Sequence, residues 1–200
     1  MRAFGTMFLI GIVYASVALG QDPAPVQDPA DGVSITSRGR TDTRGGVAVP
    51  TFAAPPGQDA IASQLTEVMR FDLDFTGLVR LLKPEEFPSS FTGLTADATK
   101  IDFTAWRNAR TEYVVHVYVS VEGSNVVLEC RLLDVTTGQQ VVGKRLTGQQ
   151  PWARQVVHRF SDEIVKYLDG EPGIATSAYC FSGGATGKKE IYSADYDGAN

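Results

Sequence analysis

The sequence predicts an α/β protein of the α+β type, in which an antiparallel or mixed sheet packs on two helices as a two-layer domain. Three observations carry this. Residues 112–146 alternate apolar and polar side chains through three runs separated by short turns. Two stretches, 58–76 and 151–168, repeat apolar residues at helical spacing. Past Gly170 two short strand-like runs follow, joined by a glycine-rich loop, and read as a hairpin cut from a larger β domain.

The chain opens with Arg2, then an apolar run from Met7 to Ala18, then the small residues of Ala18-Leu19-Gly20. This is the pattern of a secretory signal cleaved between Gly20 and Gln21. The run is shorter than the roughly 20 apolar residues that span a bilayer, and no later segment approaches that length. No Cys follows Gly20, so no lipid anchor is expected. The mature chain is expected in the periplasm as a soluble monomer without direct membrane insertion. A net charge of -5 argues against nucleic acid as a partner. The exception is local, in Arg38, Arg40 and Arg44. Two cysteines, Cys130 and Cys180, would meet an oxidising compartment, and whether they pair is left open.

Residues 21–32 (QDPAPVQDPADG) have almost nothing to bury and read as a flexible leader. Val33 to Thr36 reads as a short strand. Val47 to Val49 reads as a second, buried one, stopped by Pro50. In the helix over 58–76, Ile61, Leu65, Val68, Met69 and Leu73 form the stripe, with Asp59 as expected cap and Gly77 as terminator. Leu78 to Leu82 reads as a strand and 84–103 as irregular, with Trp106 in a short helical turn at the core edge. In the meander, Tyr113, Val115, Val117, Val119 and Val121 share a face, as do Val126, Leu128, Cys130 and Leu132. Turns at 122–125 and 136–138 make the runs antiparallel, ending in a strand over 139–146. The second helix starts on Pro151 and ends at Gly170, with Trp152, Val156, Phe160, Ile164 and Tyr167 or Leu168 as its stripe.

Catalytic chemistry finds little support. The sequence lacks a G-x-S-x-G elbow, an H-E-x-x-H pair and the phosphate-cradling glycine motifs. His116 and His158 stand far apart, and each reads as a hydrogen-bonded structural residue. Asp72 and Asp74 are two apart and point different ways on a helix, so a carboxylate pair is not expected. Trp106 and Trp152 read as core anchors. No catalytic residue, cofactor or metal is expected.

Several segments in order resemble the amino-terminal domain of the TolB family. Val33-Ser34-Ile35-Thr36 resembles its first strand, and Val47-Ala48-Val49-Pro50 with Phe52 its V-x-V-P-F segment. The helix from Ile61 through Asp72-Leu73 to Gly77 resembles its I-x-x-V-I…D-L-x-x-S-G pattern. Trp106 with Tyr113-Val114-Val115 and Arg131 to Val135 resemble two further strand motifs. Arg154, His158 and Ser161-Asp162-Glu163-Ile164 resemble its R…H-x-x-S-D-x-I helix, and Gly170 to Ile174 its G-x-x-G-I link. Ser193 to Asn200 resembles the start of its six-bladed propeller. Departures are Thr51 inserted before Phe52, Gly45 in place of a frequent Pro, Arg110-Thr111 in place of Gly-Ala, and the extra leader.

The resemblance implies a signal peptide at 1–20, the leader at 21–32, a TolB-like α/β domain at 33–170, and a linker with a truncated first propeller blade at 171–200. It implies a periplasmic adaptor of the Tol-Pal system rather than an enzyme. That adaptor links inner-membrane Tol proteins to the outer-membrane lipoprotein Pal, for envelope integrity and constriction at division. It also implies a TolA-like partner meeting Val33, Ser34, Ile35, Thr36, Ser37, Arg38, Gly39 and Arg40, and a Pal-like partner held mainly by the propeller. Two other readings share parts of the pattern: an accessory α/β domain of an outer-membrane secretion or flagellar system, and the first part of a propeller-bearing periplasmic hydrolase.

Overall fold

The structure, a computed structural model, describes residues 45–184 and 187–199. The expected strand at Val33 to Thr36 and the signal and leader segments lie outside the described residues. Five strands form one sheet in the order β2-β1-β3-β4-β5. They are β1 (Gly46–Ala48), β2 (Arg80–Leu81), β3 (Tyr113–Glu122), β4 (Asn125–Asp134) and β5 (Gln140–Gln149). The last three are the antiparallel meander that the alternation predicts, with Val117 opposite Cys130 and Cys130 opposite Lys144. β1 runs parallel to both β2 and β3, so the sheet is mixed. A separate two-stranded hairpin, β6 (Ala178–Gly183) and β7 (Glu190–Asp195), follows.

Two helices, α1 (Asp59–Phe75) and α3 (Ala153–Asp169), cover one face. Their stripes, Leu65, Met69 and Leu73 from α1 and Val156, Phe160 and Ile164 from α3, bury against Val115, Val117, Leu128 and Leu132. This continuous apolar interface is the main core. The opposite face is covered as well. The short helix α2 (Phe103–Asn108) and the irregular segment before it bring Trp106, Phe87 and Phe91 over Ala48, Val114 and Val135. Trp106 is 1% exposed and takes edge contacts from both phenylalanines, so it centres a second, smaller core rather than closing an edge. Asp102 accepts from the Thr104 and Ala105 amides and so starts α2.

Three expectations change in detail, and one open alternative is resolved. Gln58, not Asp59, is the residue before α1, and its side chain accepts from the Val121 amide of β3 instead of capping the helix. Asp59 remains in the first turn, where a carboxylate favours the helix dipole. Of the expected 78–82 strand only Arg80–Leu81 is strand, with Leu82 adding one amide bond to Val47 O, because β1, its partner among the described residues, is three residues long and ends before Pro50. Trp152 is not a core anchor: it lies in a 3-10 turn ahead of α3, out of phase with the stripe, and is 54% exposed. Leu168 rather than Tyr167 completes that stripe. Cys130 is buried on β4 and Cys180 exposed on β6, and both are free.

Candidate functional site: a histidine–carboxylate network at the helix–hairpin junction

Asp72 sits three residues after Met69 and four after Val68, squarely in the apolar stripe of α1, and is 1% exposed. A carboxylate there must be hydrogen-bonded or it would cost several kcal/mol. The partners come from α3. His158 Nδ1 lies 2.8 Å from Asp72 Oδ2, and Ser161 Oγ donates to the same oxygen at 2.7 Å. On its far side His158 Nε2 is 3.5 Å from Oδ2 of Asp197, in the turn after β7. Arg154, one helical turn before His158, donates to that same Asp197 oxygen. Two carboxylates thus alternate with two basic side chains across three chain segments.

Electrostatics follow from this alternation. Burial works against a charged imidazole, but the Asp72 hydrogen bond and the charges of Asp72 and Asp197 outweigh it, with Arg154 opposing. The net effect holds His158 above the usual histidine range. A protonated ring donates from Nδ1 to Asp72, and its Nε2 meets Asp197 at 3.5 Å as a charge contact rather than a hydrogen bond.

Asp162, the residue after Ser161 on α3, fastens the linker. Asp162 Oδ1 accepts from the Ala175 amide at 2.7 Å, and its Oδ2 accepts from Thr176 Oγ1 at 2.8 Å. Such an approach needs a residue without a side chain: a Cβ on Gly173 would stand 2.7 Å from Asp162 Cα. Tyr196 then packs its edge on Phe71 and Phe75 of α1, and its amide donates to Ser177 O. Burial of its ring raises the Tyr196 phenol above the usual range.

This geometry couples segments and does not activate a nucleophile. Ser161 donates to Asp72 and lies 3.3 Å from Val157 O, while His158 turns Nδ1 to the same carboxylate, so the hydroxyl has no imidazole base. The other histidine, His116 of β3, donates from Nε2 to Thr95 O at 2.8 Å, and burial lowers its pKa and keeps it neutral. Among the described residues no group of three His, Cys, Asp or Glu side chains could hold a metal ion. No described helix is long and apolar enough to cross a membrane. A cavity of about 270 Å³ beside Phe91, Thr95, Lys100 and Trp106 lies away from the network.

Of the residues expected to matter, Val33, Ser34, Ile35, Thr36, Ser37, Arg38, Gly39 and Arg40, and the cleavage pair Gly20 and Gln21, lie outside the described residues. His158 is the hydrogen-bonded structural histidine the sequence predicts. The sequence reading missed that Asp72 and Asp197 converge on it. One signal was present: a charged residue in phase with the apolar stripe of α1.

Fold and junction define a class: a two-layer α/β domain whose second helix hands the chain through a fastened glycine link to a β-hairpin. The chain belongs to the TolB amino-terminal domain family, whose profile matches residues 32–141. It is 30% identical, over its whole length, to the Tol-Pal system protein TolB of Geobacter sulfurreducens, of which it covers 44%. It is 33% identical over 86% of its length to the protein TolB homolog of Chlorobium chlorochromatii, covering 39% of it. The chain therefore spans less than half the length of these relatives. The crystal structure of TolB from Acinetobacter baumannii has the same fold over 80% of this chain and 38% of its own, with a TM-score of 0.65 at 23% identity.

Proposed function

We propose that this chain is the amino-terminal part of a periplasmic adaptor of the Tol-Pal system, which links a TolA-like protein of the inner membrane to a Pal-like lipoprotein of the outer membrane. The observation that carries the reading is the family match, which starts at residue 32 and so takes in the segment Val33 to Arg40. In this reading that segment docks on the TolA-like partner as a pliable strand, and its apolar Val33 and Ile35 with the nearby arginines suit that role. Within the described residues, the Asp72–His158–Asp197 network ties the hairpin, read here as the start of the propeller, to the α/β domain. Adaptor work needs no catalytic group, in keeping with a Ser161 that has no base.

Calorimetry with a purified TolA-like periplasmic domain tests the segment. Deleting residues 33–40 is expected to abolish binding with the melting temperature nearly unchanged, and unaltered affinity rules the segment out. The propeller is expected to supply most of the Pal surface, so the 200-residue chain should bind a Pal-like domain weakly or not at all. A tight complex would move the Pal site into the α/β domain. Cleavage after Gly20 is checked by N-terminal sequencing of periplasmic material, where an intact Met1 contradicts export.

A further inference from the structure

One edge of the sheet, β5, is long and open. It has ten residues, pairs among the described residues with β4 on one side only, and is exposed or half-buried throughout. An antiparallel edge strand turns alternate N–H and C=O groups outward, unpaired, so it is a template for another strand. Lys144 and Leu146 project to the helix side, as shown by Lys144 reaching Glu163 of α3 at 3.2 Å. Between them and α3 runs a groove of about 370 Å³, walled by Arg159, Glu163 and Lys166 and floored at one end by Pro172.

The charges of this groove are lopsided. Arg159, Glu163 and Lys166 fall on one stripe of α3, at helical spacing. Glu163 is taken by Lys144, and Asp162, which also borders the groove, accepts from the linker amides. Arg159 and Lys166 are exposed and have no carboxylate partner among the described residues. An acidic chain, net charge -5, thus keeps two cations, unpaired among the described residues, beside this strand edge. Charge on Lys144 and Arg145 alone would read as a guard against sticky edges. Cations on the neighbouring helix do not guard an edge.

We propose that β5 and α3 form a strand-addition site for an extended acidic segment of a partner protein. The segment pairs its backbone with the free edge of β5 and sets carboxylates, on alternate residues, against Arg159 and Lys166. The two cations stand roughly 10 Å apart along the helix axis, from a rise of about 1.5 Å per residue. Alternate residues of a strand advance by about 6.7 Å, so two carboxylates on one face reach them through the long basic side chains. A second copy of this chain is a poor occupant. Antiparallel two-fold pairing at the middle of β5 would set Lys144 opposite Lys144, or Arg145 opposite Arg145. The site uses none of residues 33–40 and does not depend on their role.

The probe is a fluorescein-labelled peptide as long as β5 that alternates glutamate and threonine, titrated against the full chain. Saturable binding is expected, with hydrogen-exchange protection confined to residues 140–149. Arg159→Glu with Lys166→Glu should weaken it about tenfold, about 1.4 kcal/mol. Both sites are exposed, and an unchanged melting curve confirms the fold. A peptide N-methylated at alternate residues should not bind. Absence of saturable binding overturns the proposal. Equal binding of the N-methylated peptide overturns strand addition, and a dimer protected at β5 without peptide replaces the proposed occupant with a second copy.

Discussion

The meander and the hairpin are both antiparallel ribbons, yet they are held in opposite ways. β3 and β4 are covered on both faces along much of their length, and Val114, Val115, Val117, Leu128 and Leu132 are wholly buried. In the hairpin nearly every residue of β6 is exposed, and Ile191 of β7 is 84% exposed. The core is held by apolar area spread over many residues. The hairpin is held at one end, by Tyr196 on the α1 phenylalanines and by the polar ties of Asp162 and Asp197. Diffuse apolar contact makes a cooperative unit, whereas a few charged ties make a local attachment that depends on pH. A two-stranded ribbon alone is marginal in water, so those ties decide its order.

The comparison breaks most visibly from the core side. Phe160→Ala empties the centre of the sheet–helix interface and is expected to cost about 3–5 kcal/mol, a fall in melting temperature on the order of 10 °C. Calorimetry checks it, and exchange should quicken in the core and hairpin together. Asp197→Ala acts on the hairpin alone. It leaves Arg154 and one side of His158 without a carboxylate, and should weaken the attachment by about 1–3 kcal/mol. Hydrogen exchange should accelerate over residues 178–195 while Tyr113 to Leu146 stay slow. Equal acceleration in both regions would mean that the two are one cooperative unit.

A pH titration sharpens the contrast further. The folded state holds His158 above its ordinary value of about 6.5, so its contribution to stability is complete below that pH and is lost as pH rises through the folded pKa. The melting temperature of the native chain should therefore fall, on going from slightly acidic to alkaline buffer, more than that of His158→Gln. Parallel profiles would show that the imidazole is neutral in the folded protein. The smallest effect lies at Arg110, an exposed residue with φ of 56°. The left-handed backbone strains any side chain, and the TolB family resemblance places a glycine there. Arg110→Gly should raise stability by a few tenths to about 1 kcal/mol, because relief of strain exceeds the added freedom of the unfolded chain. A melting temperature lower than that of the native chain would refute it.

What the sequence determined by itself is what local period encodes. Alternation over 112–146 specified the meander and the inward faces of β3 and β4, because successive side chains of a strand must oppose each other. The apolar stripes placed α1 and α3, and Gly77 and Gly170 marked their ends, where both take left-handed backbone. The order of motifs also carried the family. Tertiary structure alone decided the parallel place of β1 between β2 and β3, the second core that gathers around Trp106, the exposure of Trp152, and the turning of Gln58 toward β3. It alone brought Asp72 onto His158, 86 residues away, and Asp197 to the far side of the same ring. No local period reports such convergence. It depends on how the layers stack, and a carboxylate in an apolar stripe becomes favourable only when another element delivers its donors.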